Sequence, residues 1–161
     1  MDKELEHSAS ELGDRLRSQA LTIATAESCT GGWVAKVLTD IAGSSAWFER
    51  GFITYSNAAK QEMLGVRPDL IDTEGAVSEA VVREMVRGVI ANSDADLALA
   101  VSGIAGPGGG TPEKPVGTVW FAWGRSGSAV VTRMLRFSGD RERVRRQAVL
   151  AALRGALDLI E

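Results

Sequence analysis

Ser28 stands in the run Ser28-Cys29-Thr30-Gly31-Gly32, after an apolar, β-branched stretch that reads as a strand and before apolar positions that return at helical spacing. At such a junction the first N–H groups of the helix lack intrahelical partners and carry partial positive charge, so an anion or a developing oxyanion is stabilised there. A serine at that point is a candidate nucleophile. The bland reading is a helix N-cap, for which Ser and Thr are preferred, but a simple cap does not require Gly31 and Gly32.

What could activate the serine is limited by what the chain contains. The single histidine, His7, falls in a polar N-terminal helix far from the glycine-rich elements, which argues against a Ser-His-Asp triad. One histidine and one cysteine do not make a zinc site, no HExxH or paired CxxC pattern occurs, and a carboxylate-bound Mg²⁺ stays open although no carboxylate cluster points to it, so the expectation is a site without metal or cofactor. Cys29 is an alternative nucleophile, since a thiol at a helix N-terminus is acidified; its side chain is expected to point away from Ser28 into packing.

A carboxylate, tyrosine or lysine is left as the base, because arginine stays protonated. Only four of the eighteen basic residues are lysines: Lys3, Lys36, Lys60 and Lys114. Lys3 and Lys114 read as solvated, and Lys36 lies two turns along the helix that follows Ser28. Lys60 follows the strand-like Gly51-Phe52-Ile53-Thr54-Tyr55 and the turn Ser56-Asn57, in the first turn of another helix. Partial burial there would lower its pKa toward that of a useful base.

The elements that position these residues alternate. Residues 3–19 form a covering helix with Leu5, Leu12, Leu16 and Ala20 on one face, and residues 21–26 a strand. A helix carries Trp33, Val34, Val37 and Leu38, and residues 47–55 supply a second strand. Short helices are expected at 58–64 and after Pro68, then a longer one capped by Ser78. Residues 96–101 form a buried-type strand. Residues 116–123 and 129–137 form a hairpin, and Asp140 caps a final helix over 141–160. A hairpin among crossover strands makes the sheet mixed. The fold class expected is α/β, a single three-layer α/β/α domain over residues 1–161 with a mixed β-sheet.

Three loops leaving successive strands hold the unusual residues: 28–32, 55–60 and 102–110. In α/β sheets ligands bind at the carboxyl ends of strands. The run Ser102-Gly103-Ile104-Ala105-Gly106-Pro107-Gly108-Gly109-Gly110 can expose backbone N–H groups to a phosphate or carboxylate. It matches neither a Walker A loop nor a dinucleotide-binding GxGxxG turn, since Pro107 and Pro112 would break the following helix.

A length of 161 residues suits one domain, and a net charge of −3 gives no basic footprint for nucleic acid. The charged start Met1-Asp2-Lys3-Glu4 is unlike a secretory signal and no apolar run approaches a membrane span, so a cytoplasmic protein without a membrane partner is expected. Trp33, Trp47, Trp120 and Trp123 read as core or subunit interface, and with the apolar strands they make a homo-oligomer, dimer or larger, a reasonable expectation. Stacking of one of them on a ligand stays open.

Ala26-Glu27-Ser28-Cys29-Thr30-Gly31-Gly32, Tyr55-Ser56-Asn57 with Lys60, Gly75-Ala76-Val77-Ser78, Ser102-Gly103-Ile104-Ala105-Gly106-Pro107 with Lys114-Pro115-Val116-Gly117-Thr118-Val119, and Gly139-Asp140-Arg141 together resemble the CinA C-terminal domain family over roughly residues 20 to 150. Two departures are Ser102, where threonine is common, and Arg50-Gly51 in place of a Gly-Gly pair. The resemblance implies hydrolysis of the carboxamide of nicotinamide mononucleotide to nicotinic acid mononucleotide and ammonia, in pyridine nucleotide salvage, without a metal. It implies Ser28 as nucleophile, Lys60 as base and Tyr55 beside them to orient or relay the proton. The N–H groups of Thr30, Gly31 and Gly32 would hold the oxyanion. Ser102, Gly103, Gly106 and Gly108, with Arg141 or Arg145, are assigned to the substrate and its phosphate. The rival readings are a non-catalytic nucleotide-binding or regulatory module, in which Ser28 only caps its helix, and an amidase for another small carboxamide.

Overall fold

The computed structural model describes residues 2–161. The elements follow in the order α1 (Lys3–Ser18), β1 (Ile23–Glu27), α2 (Trp33–Thr39), a 3₁₀ turn (Ser44–Ala46), β2 (Phe48–Ile53), α3 (Asn57–Leu64), α4 (Pro68–Glu74), α5 (Glu79–Ala91), β3 (Leu97–Gly103), β4 (Thr118–Arg125), β5 (Val131–Arg136) and α6 (Arg141–Ile160). The strand order is β2-β1-β3-β4-β5, with β1 parallel to both β2 and β3 and the last two pairings antiparallel. This is the mixed α/β sheet that the hairpin required.

Alternation along β1 and β3 explains how the layers pack. Ile23, Leu97, Leu99 and Val101 face one side, where they join Leu5, Leu12 and Leu16 of α1, Val34 and Leu38 of α2, and Val149 and Leu153 of α6. Ala24, Ala26, Ala98 and Ala100 face the other, against Val81, Val82, Met85, Val86 and Val89 of α5. One face is bulky and the other is a floor of methyl groups, so α5 seats close to the sheet. Gly88 extends that close packing outward, since a Cβ there would lie 2.1 Å from the Leu64 carbonyl.

The helix starts follow their sequence signals. Asp2, Ser56, Ser78 and Asp140 each accept an N–H from the first turn of α1, α3, α5 and α6 respectively. The expected apolar stripe of α1 departs at Ala20, which is exposed beyond the helix end with φ of 54°, because the chain turns there toward β1. Trp47 and Trp123 are buried, and Trp33 and Trp120 are half-buried against the two core clusters. Among the described residues no helix is long and apolar enough to cross a membrane.

Candidate active site

Because β1, β2 and β3 run parallel, their carboxyl ends share one edge of the sheet. In register, Glu27 lies beside Ile53 on one side and Val101 on the other. The main chain continues the pairing one step further. Ser28 N–H donates to the Val101 carbonyl at 3.0 Å, and Thr54 N–H donates to the Glu27 carbonyl at 2.8 Å. The three loops singled out in the sequence therefore meet.

They enclose a cavity of about 300 Å³ lined by Ser28, Cys29, Tyr55, Asn57, Lys60, Ala76, Val77, Arg141 and the segment 102–106 with Gly108 and Gly109. Ser28, Tyr55, Lys60, Ser102, Gly103, Gly106, Gly108 and Arg141 of the expected set are thus gathered on its wall. Thr30, Gly31, Gly32 and Arg145 are not. None of the four tryptophans lines it either, which removes them as stacking partners for a ligand there.

Lys60 is carried in the first turn of α3. The Ser56 hydroxyl caps that turn by accepting from Ala59 N–H at 3.0 Å, and the Ser56 carbonyl accepts from Lys60 N–H at 3.1 Å. This turn sends the lysine side chain back under the exit of β2, where it is 1% exposed. Its Nζ lies 3.0 Å from Ser28 Oγ, 2.8 Å from the Thr54 carbonyl and 3.1 Å from the Tyr55 carbonyl. Burial, which penalises the ammonium, lowers its pKa from 10.5 to about 8. The other lysines are occupied or outside: Lys36 pairs with Asp40 at 2.7 Å, Lys114 donates to the Glu74 carbonyl at 2.5 Å, and Lys3 is exposed.

Tyr55 meets the pair through its backbone, not its ring. Its carbonyl accepts from Lys60 and, at 3.4 Å, from the Ser28 hydroxyl, whereas its phenol oxygen accepts from Arg141 Nη2 at 3.4 Å. Arg141 also donates from Nη1 to the Gly106 carbonyl at 2.8 Å, so it ties the glycine-rich loop to the rim of the cavity. Ser102, 1% exposed, donates to the Ala76 carbonyl at 2.9 Å and fixes the apolar wall formed by Ala76 and Val77.

The start of α2 is not the anion site its sequence implies. The buried Glu27 carboxylate accepts from Val34 N–H at 2.9 Å and from Ala35 N–H at 3.0 Å, so the protein supplies its own anion to that helix. Gly31 N–H is taken by the Ser28 carbonyl at 3.0 Å. Among the described residues, Cys29, Thr30 and Gly32 keep N–H groups with no partner, and of these three residues only Cys29 lines the cavity. The Cys29 thiol is buried; that burial, then the Glu27 carboxylate, pushes it up to about 12, so it remains a protonated thiol beside the serine.

Arg145 lies behind the turn, with its guanidinium on the Cys29 and Thr30 carbonyls. Asn57, Ala76, Val77, Ile104 and Ala105 are wall residues that reasoning about reactive side chains passed over. Asn57 follows Tyr55-Ser56 and Ala76-Val77 precede the cap of α5, so their motifs were visible although their place was not. Among the described residues no group of three or more His, Cys, Asp or Glu side chains is gathered to hold a metal ion.

The CinA C-terminal domain model matches residues 5–160. The chain belongs to this family. Within the CinA C-terminal domain family, it is 58% identical over 152 residues to nicotinamide-nucleotide amidohydrolase PncC of Escherichia coli strain K12, covering 94% of this chain and 92% of that protein. A protein of the same name from Pseudomonas putida is 57% identical over 151 residues, covering 94% of each. Among solved family structures, competence/damage inducible protein CihA from Agrobacterium tumefaciens superposes with a TM-score of 0.96 at 42% identity, over 98% of this chain and 96% of that one.

Proposed function

We propose that this chain is a nicotinamide-nucleotide amidohydrolase, which converts the carboxamide of nicotinamide mononucleotide to the carboxylic acid and ammonia, with Ser28 as nucleophile and Lys60 as general base. The high identity to the amidohydrolases supports the reaction. One observation carries the mechanism: a buried amine, its pKa lowered to about 8, lies 3.0 Å from a serine hydroxyl at the cavity wall.

The stereochemistry of Lys60 selects the proton path. A neutral amine has two N–H donors and one lone pair. The Thr54 and Tyr55 carbonyls can only accept, so they take both N–H groups and leave the lone pair for the Ser28 hydroxyl. When Lys60 is protonated it donates to all three oxygens, and the Ser28 hydroxyl turns to the Tyr55 carbonyl instead. Loss of one proton from Lys60 therefore redirects the Ser28 proton and readies the oxygen for attack.

In the first half-reaction Oγ bonds to the amide carbon as its proton passes to Lys60 Nζ. The oxyanion is met by the N–H group of Cys29, the unpartnered donor next to the nucleophile that lies on the cavity wall. Lys60 returns the proton to the amide nitrogen, the C–N bond breaks, and ammonia leaves an ester on Ser28. Water then attacks that ester with Lys60 as base again, and Ser28 recovers its proton as the acid departs. Arg141 with the 106–109 segment is assigned to the phosphate, and Ala76, Val77 and Ile104 to the ring.

Ammonia release from nicotinamide mononucleotide, free nicotinamide and simple aliphatic amides tests this reading. The nucleotide should be preferred, and Ser28→Ala and Lys60→Ala should each lose activity by about 10³-fold or more. Full activity in Ser28→Ala would remove the nucleophile. No turnover of any amide by the native protein would favour a binding module, and preference for another carboxamide would reassign the substrate.

A further inference from the structure

The unpartnered Cys29 N–H beside Ser28 leads back, through its own peptide, to one side chain outside the cavity. Arg145 donates from Nε to the Cys29 carbonyl at 3.0 Å and from Nη2 to the Thr30 carbonyl at 3.2 Å. A trans peptide is planar, and its C=O and N–H point in opposite directions. The Cys29 carbonyl belongs to the peptide whose N–H is that of Thr30, a fully buried residue off the cavity wall, so this contact anchors the guanidinium. The Thr30 carbonyl belongs to the peptide whose N–H is that of Gly31, and this N–H donates to the Ser28 carbonyl at 3.0 Å. That carbonyl, in turn, shares its peptide with Cys29 N–H. This relay of two peptides ends at Cys29, on the cavity wall.

The guanidinium is held in place for this. It lies over the ring of Trp33, the first residue of α2, 5.5 Å from its centroid. Gly31 has a φ of +59°, and a Cβ there would lie 3.4 Å from Arg145 Nη2. A side chain would strain the backbone and tighten the approach of the cation. Glu27, meanwhile, occupies the N–H groups of Val34 and Ala35, so the helix start contributes nothing free to the oxyanion. Of the serine turn, the free donor on the cavity wall is Cys29 N–H, the one Arg145 addresses.

We propose that Arg145 is a positioning residue for the amidase reaction, polarising from behind, through two peptides, the Cys29 N–H group that stabilises the oxyanion. The inference rests on Ser28 being the nucleophile, as proposed above. It also reassigns Arg145 from the substrate phosphate, because its fork is spent on main-chain carbonyls and it does not line the cavity, whereas Arg141 does.

The effect exists only when the substrate oxygen carries charge, so it belongs to kcat and not to ground-state binding. Loss of an oxyanion donor costs about 10²–10³ in kcat. Weakening this one donor without deleting it, by about 10–30% of the bond's strength, is expected to cost up to about fivefold. Arg145→Met keeps the aliphatic stem over Trp33 and removes the charge. Arg145→Lys keeps the charge and loses the planar fork.

The experiment measures kcat and KM for ammonia release in wild type, Arg145→Met, Arg145→Lys and Ser28→Ala, together with melting temperature. It also measures affinity for the acid product and for the aldehyde analogue of the substrate. Ser28 adds to the aldehyde reversibly: the Oγ–C bond forms, the proton passes to Lys60 and the carbonyl oxygen becomes an alkoxide. Arg145→Met should lose about fivefold in kcat and in aldehyde affinity, with KM and product affinity within about twofold of wild type. Arg145→Lys should fall between the two and decides the matter if Arg145→Met does not fold. Unchanged kcat per folded molecule, or equal losses in product and aldehyde affinity, would overturn the role of Arg145. An active Ser28→Ala would instead overturn the nucleophile beneath it, so the two failures are told apart.

Discussion

Raising the pH should switch this enzyme on along the titration of one buried amine. With its pKa at about 8, Lys60 is neutral in about 1% of molecules at pH 6, about 10% at pH 7 and about 90% at pH 9. If the neutral amine removes the Ser28 proton, kcat/KM rises about tenfold from pH 6 to pH 7, with a total gain of about 90-fold by pH 9 and a plateau above. Continuous ammonia release at substrate concentrations well below KM measures this directly. Salt gives an independent check. The shift arises from burial and not from a neighbouring cation, so 0.5 M salt should leave the inflection in place. A profile flat from pH 6 to 9, or one still climbing tenfold per pH unit through pH 10, would refute the reasoning.

The same titration acts on stability. The unfolded lysine keeps its proton up to 10.5 and the folded one only to about 8, so the unfolded state binds more protons between these values and stability rises with pH across that window. The rise should reach at most about 3 kcal/mol by urea unfolding and be absent in Lys60→Met, which should also be inactive. Glu27→Gln leaves one oxygen for two N–H groups at the start of α2. It should lower stability by about 1–2 kcal/mol and reduce kcat without a matching change in KM, read by thermal melting and steady-state kinetics.

Much of this was legible in the chain because local chemistry and tertiary position agreed. Ser56, Ser78 and Asp140 announce helix starts by their own hydrogen-bonding capacity, and the unbroken apolar run in residues 97–101 announces a strand buried on both faces. Lys60 could be singled out among the four lysines because the other three were badly placed, while carboxylates and tyrosine stayed open as bases. Direction was harder to read. Arg141 and Arg145 share a face of α6, yet a single turn of rise carries one to the cavity rim and the other to the back of the serine turn. Glu27 looks like the polar end of a strand, and nothing local says that its side chain folds over the next helix. Tyr55 drew notice for its phenol, while the group that meets Lys60 is the carbonyl every residue possesses.

The alanine floor beneath α5 bears on which molecules the cavity admits. Ala98 and Ala100 set the height of that helix above the sheet, and Ser78 at its head is joined directly to Ala76 and Val77 on the cavity wall. A branched residue in place of either alanine would lift the helix and draw that wall outward. The girth accepted at the reacting centre is thus governed in part by two methyl groups that no ligand touches, and broader amides could be admitted by widening the foundations while leaving the chemistry alone.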